Sequence, residues 1–326
     1  MVKPAQRARL KVWASISAKY VVGIFLIYWL VRTEVLDFRP LQSISLRLIL
    51  EGLVLGVSIT AISSVRIRYL LRDQDISVSY RRCFVYNSIG LFYSLFLPGG
   101  ISGDAARAFY FFHDAPTKRI AVLGAILLDR FLGLITLIGL GLLSGIFLAS
   151  VLAAVVPYLV GFSLLLVVLV GGLVTVVRYE ISHRQTPGAH RMLRLWEKAR
   201  GTLARLHLTD YSSRTLVTSV VLSALMNLLT IVLIYLCSVL NASQLGFIEV
   251  SAVSPLGLLT NAVPLSPGGL GVGEKSFDIL YRAVGGENGA GSFLTTRIFL
   301  YSPAVLGGVF AGFFLFKFRR NPVAPE

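Results

Sequence analysis

The chain has 326 residues, 55% of them hydrophobic and only 14% charged, and its mean hydropathy is +0.76. That balance excludes a soluble globule of this length and points to an all-α polytopic integral membrane protein. A formal charge of +15 would suggest nucleic acid as the partner of a soluble protein. Here the basic residues sit between apolar stretches, so they report orientation first and no nucleic-acid partner is expected.

Stretches long and apolar enough for a helix to cross about 30 Å of hydrocarbon fall near 17–32, 44–65, 120–149, 150–177, 215–240 and 292–316. The first follows Lys3, Arg7, Arg9, Lys11 and Lys19 and imitates a signal peptide, but no small-residue cleavage site follows it, so a retained span is expected. Lys and Arg are concentrated at the N-terminus, in an expected 66–82 loop (Arg66, Arg68, Arg72, Arg81, Arg82), in a 178–214 loop and at Lys317, Arg319 and Arg320. The 33–43, 242–248 and 285–291 loops carry almost none. The positive-inside rule then places both termini in the cytoplasm, with the protein multi-pass in the plasma (inner) membrane.

Six spans satisfy that charge pattern if two further apolar segments enter the membrane and return on the same side. The first is 83–112, broken at Pro98, Gly99 and Gly100; the second is 249–284, broken at Pro267, Gly268 and Gly269. Full crossings kinked at these residues are the alternative. The two breaks resemble each other: PGGISGD (98–104) aligns with PGGLGVGE (267–274), and an apolar span carrying an arginine follows each, LLDRFLG (127–133) and LTTRIFLYSP (294–303). The expected architecture is therefore about six full spans plus two re-entrant broken-helix hairpins in an inverted repeat, all within one membrane domain over 1–326. The first half covers about 44–177 and the second about 215–318, joined by a basic amphipathic linker over 178–214. Broken helices that meet near the midplane mark the transport site in folds of this kind.

The stretch PLSPGGLGVGEKSF (264–277) raises the question of a phosphate loop. A Walker loop needs Gly-Lys-Ser/Thr in succession after a buried strand; here Glu274 separates Gly273 from Lys275, and the flanks are membrane-helical. What remains is a set of glycines exposing backbone N–H groups at a helix N-terminus, which can hold an anion. In a membrane that anion is expected to be a lipid phosphate.

PGGISGDAAR, LLDRFLG, LSPGGLGVGE and TTRIFLYSPAVLGG resemble the signature stretches of the flippase-like membrane domain found in lysylphosphatidylglycerol synthases and in stand-alone bacterial proteins, over about residues 10–318. The resemblance implies an acidic residue after each glycine turn (Asp104, Glu274), an acid–arginine pair in the following span (Asp129, Arg130) and a late arginine (Arg297). The lipid-aminoacylating relatives carry a soluble transferase domain after the membrane part. This chain ends at Glu326, so the resemblance implies lipid movement without aminoacyl transfer.

Ionisable groups within hydrocarbon are functional candidates by default. The expected lipid site is one cavity between the repeats, lined by Asp104, Arg107, Asp129, Arg130, Gly268, Gly269, Glu274, Arg297 and Tyr301. Arginines and helix N-termini would take the phosphate, and carboxylates a cationic part of the headgroup or a coupling proton. Two readings stay open for Asp129 with Arg130, transport or a structural pair joining helices. For Glu274 the alternative is bracing against Arg297, and for Arg107 it is snorkelling at the interface. Arg47 and Glu51 read as an i,i+4 pair.

The 189–208 stretch reads as an amphipathic helix on the inner leaflet, attracted to anionic lipid. Cys83 and Cys237 are placed toward opposite faces, so no disulfide is expected. The histidines at 113, 183, 190 and 207 lack zinc spacing, and no metal, cofactor or catalytic constellation is expected. The expected partners are membrane lipids and an enzyme of lipid or cell-envelope synthesis. A flippase for a phosphate-bearing lipid is the leading reading. A membrane-embedded glycosyl- or aminoacyl-lipid transferase component is the second, and a small-solute transporter or channel the third.

Overall fold

The computed structural model describes residues 44–96, 102–149, 211–261 and 266–320, together with a few single positions. The expected spans at 17–32 and 150–177, the 189–208 helix and the break residues Pro98, Gly99 and Gly100 lie outside the described residues. Every regular element among the described residues is helical. In chain order they are α1 (Leu46–Asp73), α2 (Tyr80–Phe96), α3 (Ser102–Asp114), α4 (Arg119–Ala149), α5 (Ser213–Leu240), α6 (Phe247–Asn261), α7 (Val272–Ala283), α8 (Gly289–Leu300) and α9 (Ser302–Arg320). Short 3-10 turns occupy Pro116–Lys118 and Pro267–Gly269.

Length separates spans from half-spans. Helices α1, α4 and α5 have 28, 31 and 28 residues, or about 42–46 Å at 1.5 Å per residue, enough to cross a bilayer core. Helices α8 and α9, bent by 41° to one another, are together long and apolar enough for one further crossing. The 292–316 stretch expected as one span is thus broken at Tyr301, where Pro303 opens the next helix in the first turn, a place where its missing N–H leaves no bond unmade. Helices α2, α3, α6 and α7 have 17, 13, 15 and 12 residues. They reach only about 18–26 Å.

Contacts between helix ends fix the topology. Asp73, at the end of α1, accepts hydrogen bonds from the Ser212 amide (2.6 Å) and hydroxyl (3.1 Å), just before α5. Arg82 and Tyr86, near the start of α2, donate to the Asp114 carboxylate at the end of α3 (2.9 and 3.1 Å), and Lys118 donates to the Gln74 carbonyl (3.0 Å). All these termini therefore share one face. Helix α5 carries the chain to the other. There the Glu287 amide donates to the Ser243 carbonyl (3.1 Å) and the Asn288 side chain to the Asn241 carbonyl (2.9 Å), which joins the end of α5 and start of α6 to the end of α7 and start of α8. The α2–α3 hairpin thus enters and leaves by one face and the α6–α7 hairpin by the opposite one, so the two re-entrant hairpins are inverted.

The repeat extends beyond the glycine breaks. Each half opens on a 28-residue helix whose N-terminal amides are capped by a serine hydroxyl, Ser45 accepting from the Leu48 amide and Ser212 from the Thr215 amide (3.3 Å each). Each of these helices ends in the same turn: Asp75 (φ 52°) and Ala242 (φ 50°) take the left-handed conformation, and the next amides, Ile76 and Ser243, return to the Leu71 and Ser238 carbonyls at 3.0 Å. Such 6→1 bonds satisfy otherwise orphaned terminal carbonyls.

Packing interlocks the halves. Helix α1 lies against α5, α2 against α9, and α6 against α4, so the first arm of each hairpin rests on the closing span of the other half. Around the first hairpin the core holds Ile67, Leu70, Leu71, Phe111 and Val122; around the second it holds Val250, Phe277, Tyr281 and Phe293. Phe277 and Phe293 stack with centroids 4.1 Å apart. Val54, Val57, Val217, Val221, Val305 and Val309 face outward, as a lipid-facing surface requires.

One expectation is corrected. Arg66 belongs to no loop: α1 continues to Asp73, with Arg66, Ile67, Leu70 and Leu71 turned inward while Arg68 and Arg72 point out.

Candidate functional site

The first charged cluster is built on Asp129, one-third of the way along α4, with a side chain only 3% exposed. The Arg66 Nε of α1 donates to its Oδ1 at 2.6 Å, and both terminal nitrogens of Arg107, on α3, donate to its Oδ2 at 3.2 Å. Arg66 also donates to the Ser223 hydroxyl of α5 (2.7 Å), and Arg107 to the Asn87 side-chain oxygen of α2 (3.3 Å). Asn87 in turn donates to the Ser64 hydroxyl (3.1 Å). Five helices meet at one buried carboxylate. Arg107 is thus no snorkelling residue but part of the interior.

Asp104, in the first turn of α3, extends this cluster. Arg107 Nη2 lies 2.8 Å from its Oδ1. Arg130, the neighbour of Asp129, clasps both Asp104 oxygens, Nε to Oδ2 at 2.8 Å and Nη2 to Oδ1 at 3.0 Å. Sequence neighbours on a helix point in different directions, so α4 sends Asp129 inward and Arg130 to the first turn of α3. The Arg130 side chain is 53% exposed and that of Asp104 15%. Close packing of α2 on α3 sets this geometry: a Cβ on Gly103 would lie 2.5 Å from the Gly90 carbonyl oxygen.

The second cluster is closed. Glu274, with a side chain 0% exposed, pairs with Arg297 Nε through Oε1 at 2.7 Å and accepts the Gly271 amide on Oε2 at 2.6 Å. Arg297 donates to the Gly268 and Gly269 carbonyls at 2.5 and 2.9 Å and lies 4.7 Å from the Phe293 ring centroid. Gly268 (φ 58°), Gly269 (φ 70°) and Gly271 (φ 81°) take the left-handed conformation, open to glycine at no steric cost. The Gly269 amide donates to the Ser266 carbonyl at 3.1 Å. The turn therefore directs two carbonyls at Arg297 and engages the Gly269 and Gly271 amides within the protein.

The expected site residues thus fall into two groups. Asp104, Arg107, Asp129 and Arg130 form one; Gly268, Gly269, Glu274 and Arg297 form the other. The groups adjoin where Gly268 approaches Ser94 and Leu95 at the tip of α2, and Tyr301 caps α8 by donating its amide to the Arg297 carbonyl (2.9 Å). The structure adds Arg66, Asn87 and Ser223 to the first group. It also shows a buried Asp278 held by Lys275 (3.3 Å) and Arg282 (3.1 Å) toward the second face. Arg47 and Glu51 pair at 2.7 Å on the surface, and both cysteines are buried and free. Among the described residues no three His, Cys, Asp or Glu side chains converge as metal ligands would.

Fold and site together define a polytopic helical membrane protein of the inverted-hairpin type, with an ionic cluster beside each hairpin. The model of the lysylphosphatidylglycerol synthase TM region matches residues 16–316, and the chain belongs to that family. No curated protein is detectably similar to the chain. Membership of a lipid synthase's membrane-region family fits a membrane-lipid-related function.

Proposed function

We propose that the protein is a lipid transporter that moves a phosphate-bearing lipid between the leaflets of the bacterial inner membrane, with membrane lipids as its partners and no transfer chemistry of its own. The observation that carries this reading is the pair of hairpins, entering from opposite faces, with a partly open guanidinium against the second arm of the first. A half-exposed arginine clasping a carboxylate has the planar fork that also fits a phosphate. Placed within a span, it offers a headgroup a polar stopping point in an otherwise costly crossing. The face carrying Arg68, Arg72, Arg82, Lys118, Arg119 and Arg214 is the cytoplasmic one in this reading. Glu274 and Arg297 brace the second break.

The test is reconstitution of the purified protein in liposomes containing a trace of tail-labelled phosphatidylglycerol, bleached from outside by dithionite. The expected result is bleaching well beyond the outer-leaflet share seen in protein-free liposomes. Bleaching that stops at that share for phosphatidylglycerol, phosphatidylethanolamine and polyprenyl phosphate alike would refute the reading.

A further inference from the structure

Among the described residues the first cluster is not electrically neutral. Asp104 and Asp129 face Arg66, Arg107 and Arg130, two carboxylates against three guanidiniums. Every carboxylate oxygen is already taken: Asp129 Oδ1 by Arg66, its Oδ2 by Arg107, Asp104 Oδ1 by Arg107 and Arg130, and its Oδ2 by Arg130. The surplus is on the donor side. Arg107 Nε is buried with no acceptor among the described residues, and Arg130 leaves more than half of its side chain open. A site with spare donors and one positive charge in excess repels an ammonium group and attracts an anion strongly where water is scarce.

The role of Asp104 follows from the same contacts. If a phosphate took Arg130, Asp104 would keep its contact with Arg107 at 2.8 Å and would not be stranded. We infer that the Asp104–Arg130 pair is a headgroup site selective for lipids of net negative charge, in which the Asp104 carboxylate is a placeholder that the lipid phosphate displaces. The inference rests on the transport reading above for its lipid, and it goes further by excluding zwitterionic headgroups and by making Asp104 a competitor of the substrate. A placeholder also limits how tightly the lipid is held, which transport requires because the headgroup must leave again.

The experiment uses the purified full chain in detergent and reads ligand-induced shifts of its thermal unfolding midpoint. The probes are dihexanoyl phosphatidylglycerol (anionic), dihexanoyl phosphatidylethanolamine (zwitterionic) and glycerol 1-phosphate (the headgroup chemistry without a lipid). The wild-type protein should bind the phosphatidylglycerol at least about tenfold more tightly than either other probe. Asp104→Asn should raise that affinity by about tenfold, because the competitor is gone and the excess charge is larger. Arg130→Gln should lose the preference while eluting as a folded species, and Arg130→Lys should keep part of it, since the charge stays and the fork goes.

Equal affinity for the anionic and zwitterionic lipids overturns the selectivity, and equal affinity for glycerol 1-phosphate overturns the lipid as ligand. Weaker phosphatidylglycerol binding by a folded Asp104→Asn protein overturns the placeholder. A wild-type protein that shows the expected binding yet moves no lipid in liposomes would refute the transport reading and leave this site standing. One that moves lipid without discriminating between these probes would do the reverse.

Discussion

Arg130 clasps Asp104 at 2.8 and 3.0 Å with 53% of its side chain open, whereas the corresponding Arg297 pairs with Glu274 at 2.7 Å in a side-chain environment only 5% and 0% exposed. Both pairs join the acid after a glycine turn to an arginine on the span that follows. One is open and belongs to a cluster with excess positive charge; the other is sealed and balanced. On the proposed reading, a similar sequence pattern serves two uses, headgroup capture in the first half and bracing in the second.

Bracing makes Glu274 a stability residue. Glu274→Gln leaves the Arg297 guanidinium buried without its counter-charge and should destabilise the protein by about 3–5 kcal/mol. Arg297→Gln should do similar damage, and the double variant should lose less than the sum by about 0.5–3 kcal/mol. Denaturation of the purified proteins measures all three. A stable Glu274→Gln protein would show that the pair does not hold the turn.

Asp129 holds Arg66 of α1 and Arg107 of α3 against α4. Asp129→Asn should therefore cost about 3–5 kcal/mol, while Arg68→Gln, on the same helix as Arg66 but pointing outward, should stay within about 0.5 kcal/mol of wild type. Equal effects from the two substitutions would mean that the buried network contributes nothing.

Much of this arrangement is legible in the sequence, with clear physical limits. Asp129 and Arg130 stand out as charges inside an apolar stretch, and the two Pro-Gly-Gly breaks announce their hairpins. Arg66 is hidden because an arginine at the end of an apolar stretch looks like the start of a basic loop. Only the helical spacing of Ile67, Leu70 and Leu71 beyond it, with Arg68 and Arg72 on the other side, signals that the helix continues and that Arg66 turns inward. The division of one expected cavity into an open and a closed cluster is not legible, because it depends on which hydrogen-bond donors the Gly268–Gly271 turn aims at its own carboxylate. The shared turn after α1 and α5 is equally silent: Asp75 and Ala242 take left-handed backbone without being glycine.

Topology gives an independent check. In a protein whose native cysteines are replaced by serine, Asp75→Cys and Thr117→Cys should react with a membrane-impermeant maleimide from the cytoplasmic side, and Glu287→Cys from the outside. Labelling of residues 75 and 117 from opposite sides would break the first hairpin and the inverted repeat with it.

Packing of the first hairpin gives another. Gly103→Leu places a branched side chain against the Gly90 carbonyl and should separate α2 from α3, lowering stability by about 1–3 kcal/mol and disturbing the Asp104–Arg130 contact. Unchanged stability and unchanged lipid binding would show that the close crossing is dispensable.

The most direct test of the account is lipid movement through the open arginine. Wild-type and Arg130→Gln proteins, matched for folding and for copies per liposome, are compared by dithionite bleaching of tail-labelled phosphatidylglycerol. The account predicts rapid exposure of the inner-leaflet lipid by the wild type and a loss of at least about tenfold in rate for Arg130→Gln, equivalent to 1.4 kcal/mol. Wild-type rates from a well-folded Arg130→Gln protein would contradict it.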